Sequence, residues 1–486
     1  MKNCYIFFSW IIFLGYWLLI TSITIKILIK NKTRHSAITW LLIIYVIPLL
    51  GIFMWFCFDE PYIRKTKIKL INKIWNQNNQ WIKKIKSYKN ILKNKNSKVA
   101  GPLFQLCKNR QGLSGITNNQ LQLLTNSKDI IKILIKDIYL AKKNIEMVFY
   151  IWTPGGLADE VAKALISSAK RGIFCRLMLD SAGSIEFFRS KWVHIMRHAG
   201  IHIVEALKIN FFRTFFERVD LRQHRKIILI DNYITYIGSM NLVDPTVLKK
   251  KNRLGQWIDL MTRIKGPIAT TIGIVYSCDW ELETGKKILP EIPEDNHKFN
   301  NNNKDIAIQI IASGPGFPEH MIHQSFLIAI YSAQKQLIIT TPYLVPSDDL
   351  LNAICTASQR GVEVIIIIPK YNDSILVQWA SRSFFSELLE SGVKIYQFEK
   401  GLLHSKSILV DKQLSLIGTA NLDMRSLWLN FEITLVIDDS IFGNNLASVQ
   451  YEYINHSKLL DAKQWLMRSY WKRIVEKIFY FLSPLL

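Results

Sequence analysis

One pattern of polar residues occurs twice in this chain at identical spacing. The first copy runs His224-Arg225-Lys226-Ile227-Ile228-Leu229-Ile230-Asp231 and continues to Gly238-Ser239-Met240-Asn241. The second runs His404-Ser405-Lys406-Ser407-Ile408-Leu409-Val410-Asp411 and continues to Gly418-Thr419-Ala420-Asn421. Each reads H-x-K-x-x-x-x-D, six further residues, then G-x-x-N. In a chain with 62 Lys and Arg and 10 His, a single match carries little weight. Two in the same register, inside halves that resemble each other elsewhere, imply a duplicated unit and one site assembled from both copies.

The apolar run after each Lys is β-branched and bounded by turn residues, Asp231-Asn232 and Asp411-Lys412, so each motif predicts a strand entering a hairpin. Side chains two apart on a strand share a face, which points His224 with Lys226 and His404 with Lys406. Asp231 and Asp411 stand an odd number of residues from their His. They are expected in the turn or facing away from the pocket, in a bracing role. Gly238 and Gly418 are expected where the backbone approaches a ligand, with Asn241 and Asn421 as neutral amide donors.

Two imidazoles and two ammonium groups converging on one point suit phosphoryl transfer through a covalent histidine. A neutral imidazole attacks phosphorus near pH 7, and an imidazolium gives its proton to a departing alkoxide. The lysines would neutralise charge on the phosphoryl oxygens, work that a metal ion does elsewhere. The expectation is therefore a site with no metal and no cofactor.

The flanking sequence organises as α/β. A strand at 145–152, a helix at 158–171 and a strand at 174–179 recur in the second half as 337–341, 350–360 and 362–368. This predicts two similar α/β domains, at 129–290 and 305–486, joined through the Asn-rich stretch 290–304. The 486 residues, 49% of them hydrophobic, suffice for several domains with a sizeable core. The six cysteines show no metal or disulfide spacing and are expected as free, mostly buried thiols.

Ahead of these domains, within residues 1–60, lie two uncharged apolar runs, 4–24 and 37–58, each long enough to cross a bilayer as a helix. They predict a transmembrane hairpin, with Pro48 kinking its second helix. The basic residues at its outer ends slightly outnumber Lys26, Lys30, Lys32 and Arg34 in its loop, which puts both termini in the cytoplasm. The formal charge of +24 calls for an anionic partner, and from Arg64 to Lys98 there are twelve Lys or Arg and no acid. Segment 61–128 is read either as a basic helix on anionic lipid or as a solvated linker. Phe211, Phe212, Phe215 and Phe216, with Arg213 and Arg218, allow either a membrane contact or a packed helix. For the C-terminal stretch 465–486 packing is the preferred reading.

The motifs resemble those of the phospholipase D superfamily, and the resemblance runs further. Phe149-Tyr150-Ile151-Trp152, Thr341-Pro342-Tyr343, Pro346-Ser347-Asp348-Asp349, Asn421-Leu422-Asp423-Met424-Arg425-Ser426 and Trp428-Leu429-Asn430-Phe431-Glu432 are similar to the bacterial cardiolipin synthase family of the enterobacterial A type. This resemblance implies two phospholipase D-type domains sharing one active site. Its catalytic set would be His224, Lys226, Asp231, His404, Lys406 and Asp411, with Asp259 and Glu432 each orienting the histidine of the opposite half. It also implies a multi-pass protein of the bacterial inner membrane, with its catalytic part on the cytoplasmic side. The implied reaction makes cardiolipin and glycerol from two phosphatidylglycerols, with His224 attacking and His404 serving as acid and then base. Water as acceptor would make a phospholipase D, and serine a phosphatidylserine synthase. The same machinery serves nucleases, but membrane helices argue against nucleic acid and for phosphatidylglycerol and other anionic lipids as partners. A lipid-binding scaffold would need neither histidine.

Overall fold

The structure, a computed structural model, describes residues 2–29, 34–58, 73–74, 97–208, 221–247, 255–290 and 306–481. The first half contributes β1 (Gln120–Leu124), β2 (Asn144–Phe149), β3 (Phe174–Asp180), β4 (His202–Ala206), β5 (Ile227–Ile230), β6 (Ile234–Gly238), β7 (Trp257–Ile258) and β8 (Met261–Lys265). The second contributes β9 (Ala307–Ser313), β10 (Gln336–Thr340), β11 (Glu363–Pro369), β12 (Lys394–Phe398), β13 (Leu402–Leu403), β14 (Ser407–Val410), β15 (Leu414–Gly418), β16 (Glu432–Asp438) and β17 (Ser457–Leu459). β7 and β13 pair with each other, and the remaining strands form two sheets of one plan. The order β4-β3-β2-β5-β6-β8-β1 matches β12-β11-β10-β14-β15-β16-β9 strand for strand, and β17 is added beside β12.

In each sheet three strands are parallel, β2-β3-β4 and β10-β11-β12, and the motif strand pairs antiparallel with the first of them. Parallel strands joined by a crossover helix are covered on both faces, which is why β10 and β11 read as runs of isoleucine. The crossovers are the helices Leu157–Lys170 and Asp348–Gln359. Leu157–Lys170 buries Ala158, Val161, Ala162 and Leu165 on one stripe, and Ser347 caps its counterpart by accepting from the Leu350 N–H.

Between the sheets lie the helices Ile268–Thr284 and Ser440–Asn455, which follow β8 and β16. The former is buried continuously from Ile268 to Trp280 and shares one apolar core with strands of both sheets. A helix enclosed on all sides has no polar stripe, and here it fixes one domain against the other. The first sheet begins at Gln120 rather than at the expected boundary of 129, and the helix Gly101–Gln111 packs Leu103, Phe104 and Cys107 into the core of the second half. Neither element is part of a linker. Cys107, Cys175, Cys278 and Cys355 are buried.

The helix Lys2–Ile29 contains one span, Ile6–Ile29, long and apolar enough to cross a membrane. The second expected span is divided. Helices Arg34–Val46 and Pro48–Phe58 meet at Ile47, and the chain folds back so that Gly51 lies against the backbone of Ile43 and Ile44. Pro48 lacks an N–H and its ring clashes with the carbonyl four residues earlier, which ends the first of the two helices. Most of the basic stretch after residue 58, the phenylalanine segment 211–216 and the joint at 291–304 lie outside the described residues.

Both motif hairpins turn through two consecutive left-handed residues. Asp231 and Asn232 have φ of 55° and 51°, and Asp411 and Lys412 have 51° and 53°. Such a pair matches the right-handed twist of the flanking strands. The aspartates belong to the turn. Asp231 accepts from the backbone N–H groups of Lys142, Lys143 and Asn144, and Asp411 from those of Gln334, Lys335 and Gln336. Each ties its hairpin to the start of the neighbouring parallel strand. Asp231→Ala leaves three N–H groups without that acceptor, so thermal unfolding should show a loss of about 2–4 kcal/mol. Turnover per folded molecule should stay within a few-fold of the parent; a loss of several orders of magnitude in a folded variant would put the carboxylate in the chemistry.

Candidate active site

The H-x-K residues precede the ladders of β5 and β14 rather than lying within them. They are held extended by pairing across the domain boundary. Gln223 pairs in parallel with Phe431, and β13 pairs in parallel with β7. The His224 N–H donates to the Phe431 carbonyl at 3.0 Å, and the His404 N–H to the Ile258 carbonyl at 2.9 Å. The residue after each acceptor is an acid, Glu432 in one case and Asp259 in the other. Each histidine therefore meets the carboxylate of the opposite half.

The Nδ1 of His224 lies 2.9 Å from both carboxylate oxygens of Glu432, and that of His404 lies 2.7 Å from Asp259 Oδ1. A carboxylate at Nδ1 holds the proton there and leaves the Nε2 lone pair for reaction. The carboxylates are themselves braced. Ser239 Oγ donates to Asp259 at 2.7 Å, while Thr419 Oγ1 and Ser426 Oγ donate to Glu432 at 2.5 and 2.8 Å. Ser239 and Thr419 occupy the same place in G-x-x-N, a shared hydroxyl that the sequence displayed and the motif reading passed over. Aromatic rings flank both imidazoles: Trp257 lies 4.6 Å from His404 at a tilt of 30°, and Tyr150 meets His224 edge-on at 5.1 Å.

Lys226 and Lys406 are buried, each donating to the carbonyl of its own histidine at 2.9 and 2.6 Å. Arg225 and Ser405, between histidine and lysine, point the other way. The fully buried Arg225 donates to the carbonyls of Glu432 and Ser313, pairs with Asp279, and lies between the rings of Phe317 and Phe431. Arg425, in the run after the second motif, adds positive charge at His224.

The structure thus brings together His224, Lys226, His404, Lys406, Asp259 and Glu432, and it puts Asp231 and Asp411 in their turns. Asn241 and Asn421 follow β6 and β15. Asn241 Oδ1 accepts from the Ile151 N–H at 3.2 Å, and Asn421 Nδ2 donates to Asp423 at 3.0 Å. The expectation for the two glycines is corrected. A Cβ on Gly238 would lie 2.1 Å from the Leu260 carbonyl, and one on Gly418 2.3 Å from that of Ile433. What approaches them closely is the neighbouring strand.

Burial first, and then the charges of Lys226, Lys406, His404 and Arg425, hold His224 well below the usual imidazole range. Burial and Lys406 lower His404 too, against the opposing pull of Asp259. Burial lowers Lys226 to about 8 and, with repulsion from Lys226, Lys406 to about 7. The acids diverge. Burial pushes Glu432 up to about 7, whereas at Asp259 burial is outweighed by His404, Lys406 and the Ser239 hydroxyl, so its carboxyl stays below the usual range. Both imidazoles are thus held toward their neutral form, and an arriving anion would draw a proton onto Lys406 first.

The chain matches the family described as "Cardiolipin synthase, PLD-like domain" over residues 134–254 and 326–455. It is 68% identical to cardiolipin synthase A of Buchnera aphidicola subsp. Acyrthosiphon pisum (strain APS) over 98% of both chains. The chain belongs to the cardiolipin synthase family. With cardiolipin synthase A of Erwinia tasmaniensis it shares 60% identity over the full length of both chains. Among solved structures, the phosphatidylserine synthase of Haemophilus influenzae Rd KW20 has the same fold, with a TM-score of 0.58 at 16% identity over 79% of this chain and 98% of that one.

The lysine values set a pH dependence for anion binding. As pH rises through about 7 and about 8, Lys406 and Lys226 lose their protons and the site loses positive charge. Tungstate, whose own charge is constant above neutral pH, should bind with a dissociation constant that rises above pH 8 by roughly tenfold per unit for each lysine that must regain its proton, and so by up to about a hundredfold per unit for both. Calorimetry in buffers of different ionisation enthalpy should show proton uptake on binding at pH 8. A flat profile would mean that the lysines do not carry the anion.

Proposed function

We propose that this phosphatidyltransferase joins two phosphatidylglycerols into cardiolipin and glycerol through a phosphohistidine. The observation that carries the reading is the reciprocal pairing of His224 with Glu432 and His404 with Asp259, with a buried lysine beside each histidine. Such a site offers two imidazoles of fixed tautomer and two cations for one phosphodiester.

In the first step Nε2 of His224 attacks phosphorus, the bond from phosphorus to the glycerol oxygen breaks, and His404 gives that oxygen a proton. In the second, His404 takes the proton from a hydroxyl of the second phosphatidylglycerol, whose oxygen attacks phosphorus and expels His224. Lys226 and Lys406 offset the charge on the phosphoryl oxygens throughout. One phosphodiester is exchanged for another, so the chemistry is close to balanced and needs no nucleotide. The ionised Asp259 favours the imidazolium that His404 must form, which supports this division of roles. We assign the protein to the bacterial inner membrane, held there through the helix Ile6–Ile29, with its catalytic domains on the cytoplasmic side. The helix Ile6–Ile29 and the slight basic excess outside the apolar runs support that placement.

Purified protein given phosphatidylglycerol alone should yield cardiolipin and glycerol; phosphatidic acid without cardiolipin would make water the acceptor and overturn the assignment. His224→Ala and His404→Ala should each lower turnover by on the order of 10³-fold or more while leaving membrane association intact. Rapid quenching with phosphate-labelled lipid should leave an acid-labile, base-stable label on His224, and label on His404 instead would reverse the roles.

A further inference from the structure

The helix Tyr470–Phe481 carries apolar side chains on two opposite faces. Its inner face is packed on the second domain. Glu476, the only acid in the helix, is buried and pairs with Arg382 and Arg468 at 3.0 Å, while Phe479 stacks on Trp379 and Tyr480 meets Phe384 edge-on. Packing, the reading preferred from sequence, describes this face. The other face carries Trp471, Ile474, Val475 and Ile478, spaced i, i+3, i+4 and i+7. Trp471 is 75% exposed and Ile478 54%, beside Tyr470 at 74%.

The neighbouring helix Ile375–Arg382, which packs against Tyr470–Phe481, also exposes 70% of Ile375. Lys472, Arg473 and Lys477 are exposed along the same helix. The segment leading to Ile375 borders the catalytic site. Asp373 accepts from the Tyr343 hydroxyl at 2.8 Å, and its charge is felt at Lys406.

We infer that this face docks on an anionic bilayer, with Trp471, Ile478 and Ile375 in the interfacial layer and Lys472, Arg473 and Lys477 over the lipid phosphates. A helix on a water-facing surface presents polar residues outward. This one presents an apolar stripe flanked by aromatic rings and cations, the composition of a helix lying in a membrane interface. The cations choose the occupant: a bilayer of negative surface charge, not a neutral apolar partner. Docking would set the mouth of the site against the leaflet that holds its two-chained substrates. The inference relies on the phosphatidyl-transfer reading only for the identity of the lipid, and its primary test needs no turnover.

Hydroxyl-radical footprinting of the full chain in nanodiscs reads the contact directly. In discs containing phosphatidylglycerol, Tyr470 and Trp471 should be oxidised on the order of tenfold more slowly than their exposure predicts, relative to Tyr139, which is 46% exposed on the first domain. Replacing the lipid by phosphatidylcholine, or charge reversal in a K472E/R473E/K477E variant, should restore most of the rate. Full reactivity in anionic discs would overturn the inference. Protection indifferent to lipid charge and to charge reversal would also overturn it, since a second copy or another stretch of this chain would then cover the face. A W471E/I478E variant should turn over lipid in discs about tenfold more slowly while keeping its rate on a dispersed short-chain phosphatidylglycerol. Equal losses on both substrates would point to a folding defect and count against docking.

Discussion

The exchange of carboxylates across the domain boundary is the contact on which the site depends. Neither half contains a complete histidine–acid pair. His224 meets Glu432 because its backbone N–H is bonded to Phe431, and His404 meets Asp259 because its N–H is bonded to Ile258. In a paired strand, a slip of one residue turns every side chain to the other face, so these short pairings decide whether the acids point at the imidazoles at all. The residue between histidine and lysine locks the register from behind. Arg225 Nε donates to the Glu432 carbonyl at 3.1 Å, and Ser405 Oγ to the Ile258 carbonyl at 3.0 Å. Breaking a buried pair such as Arg225 with Asp279 by removing one partner typically costs about 3–5 kcal/mol. That penalty makes the alignment of the two halves part of folding itself.

The duplication is not perfect, and the differences bear on the chemistry. Besides His224, Glu432 collects three side-chain donors, Thr419, Ser426 and Asn430, yet burial still raises it, while Asp259 keeps its charge beside His404. Arg225 fills the place taken by Ser405 and reaches into the core of the other domain, where Ser405 reaches Ile258 and Tyr453. A symmetric site would hold its two histidines in the same protonation state. The proposed route through a phosphohistidine needs one of them bare and the other proton-bearing in its first step. Unequal carboxylates supply that difference within a nearly symmetric fold.

Much of this was legible in sequence because it is local or repeated. The turns at Asp231-Asn232 and Asp411-Lys412, the crossover helices and the placement of Asp259 and Glu432 all follow from spacing, repetition and resemblance. What escaped depends on partners far away in the chain. Gly238 reads as a residue clearing space for a ligand until β8 is found against it. Gln120–Leu124 is too short and polar to announce a strand, and it becomes one only through pairing with Met261–Lys265, more than a hundred residues later. The apolar run 37–58 has the composition of a spanning helix, and composition does not record that Pro48 ends one helix and lets the next fold back. Tyr150 and Trp257 were visible as aromatics near the motifs, with nothing to say which imidazole each would face.

The electrostatics link the fold to the order of events in the reaction. Lys226 and Lys406 are buried close enough that the charge of one lowers the proton affinity of the other. A phosphodiester between them reverses the sign of that interaction, replacing repulsion between cations by attraction of each to a shared anion. Proton affinity rises at the same moment on His404, whose imidazolium then has an anion on either side, the lipid phosphate and Asp259. In the proposed reaction the substrate would thus recruit the proton that its own leaving glycerol needs. On the proposed route, once that proton has gone with the glycerol, His404 would again be the neutral base for the incoming hydroxyl, and a phosphatidyl group on His224 would keep both lysines charged until the second bond is made.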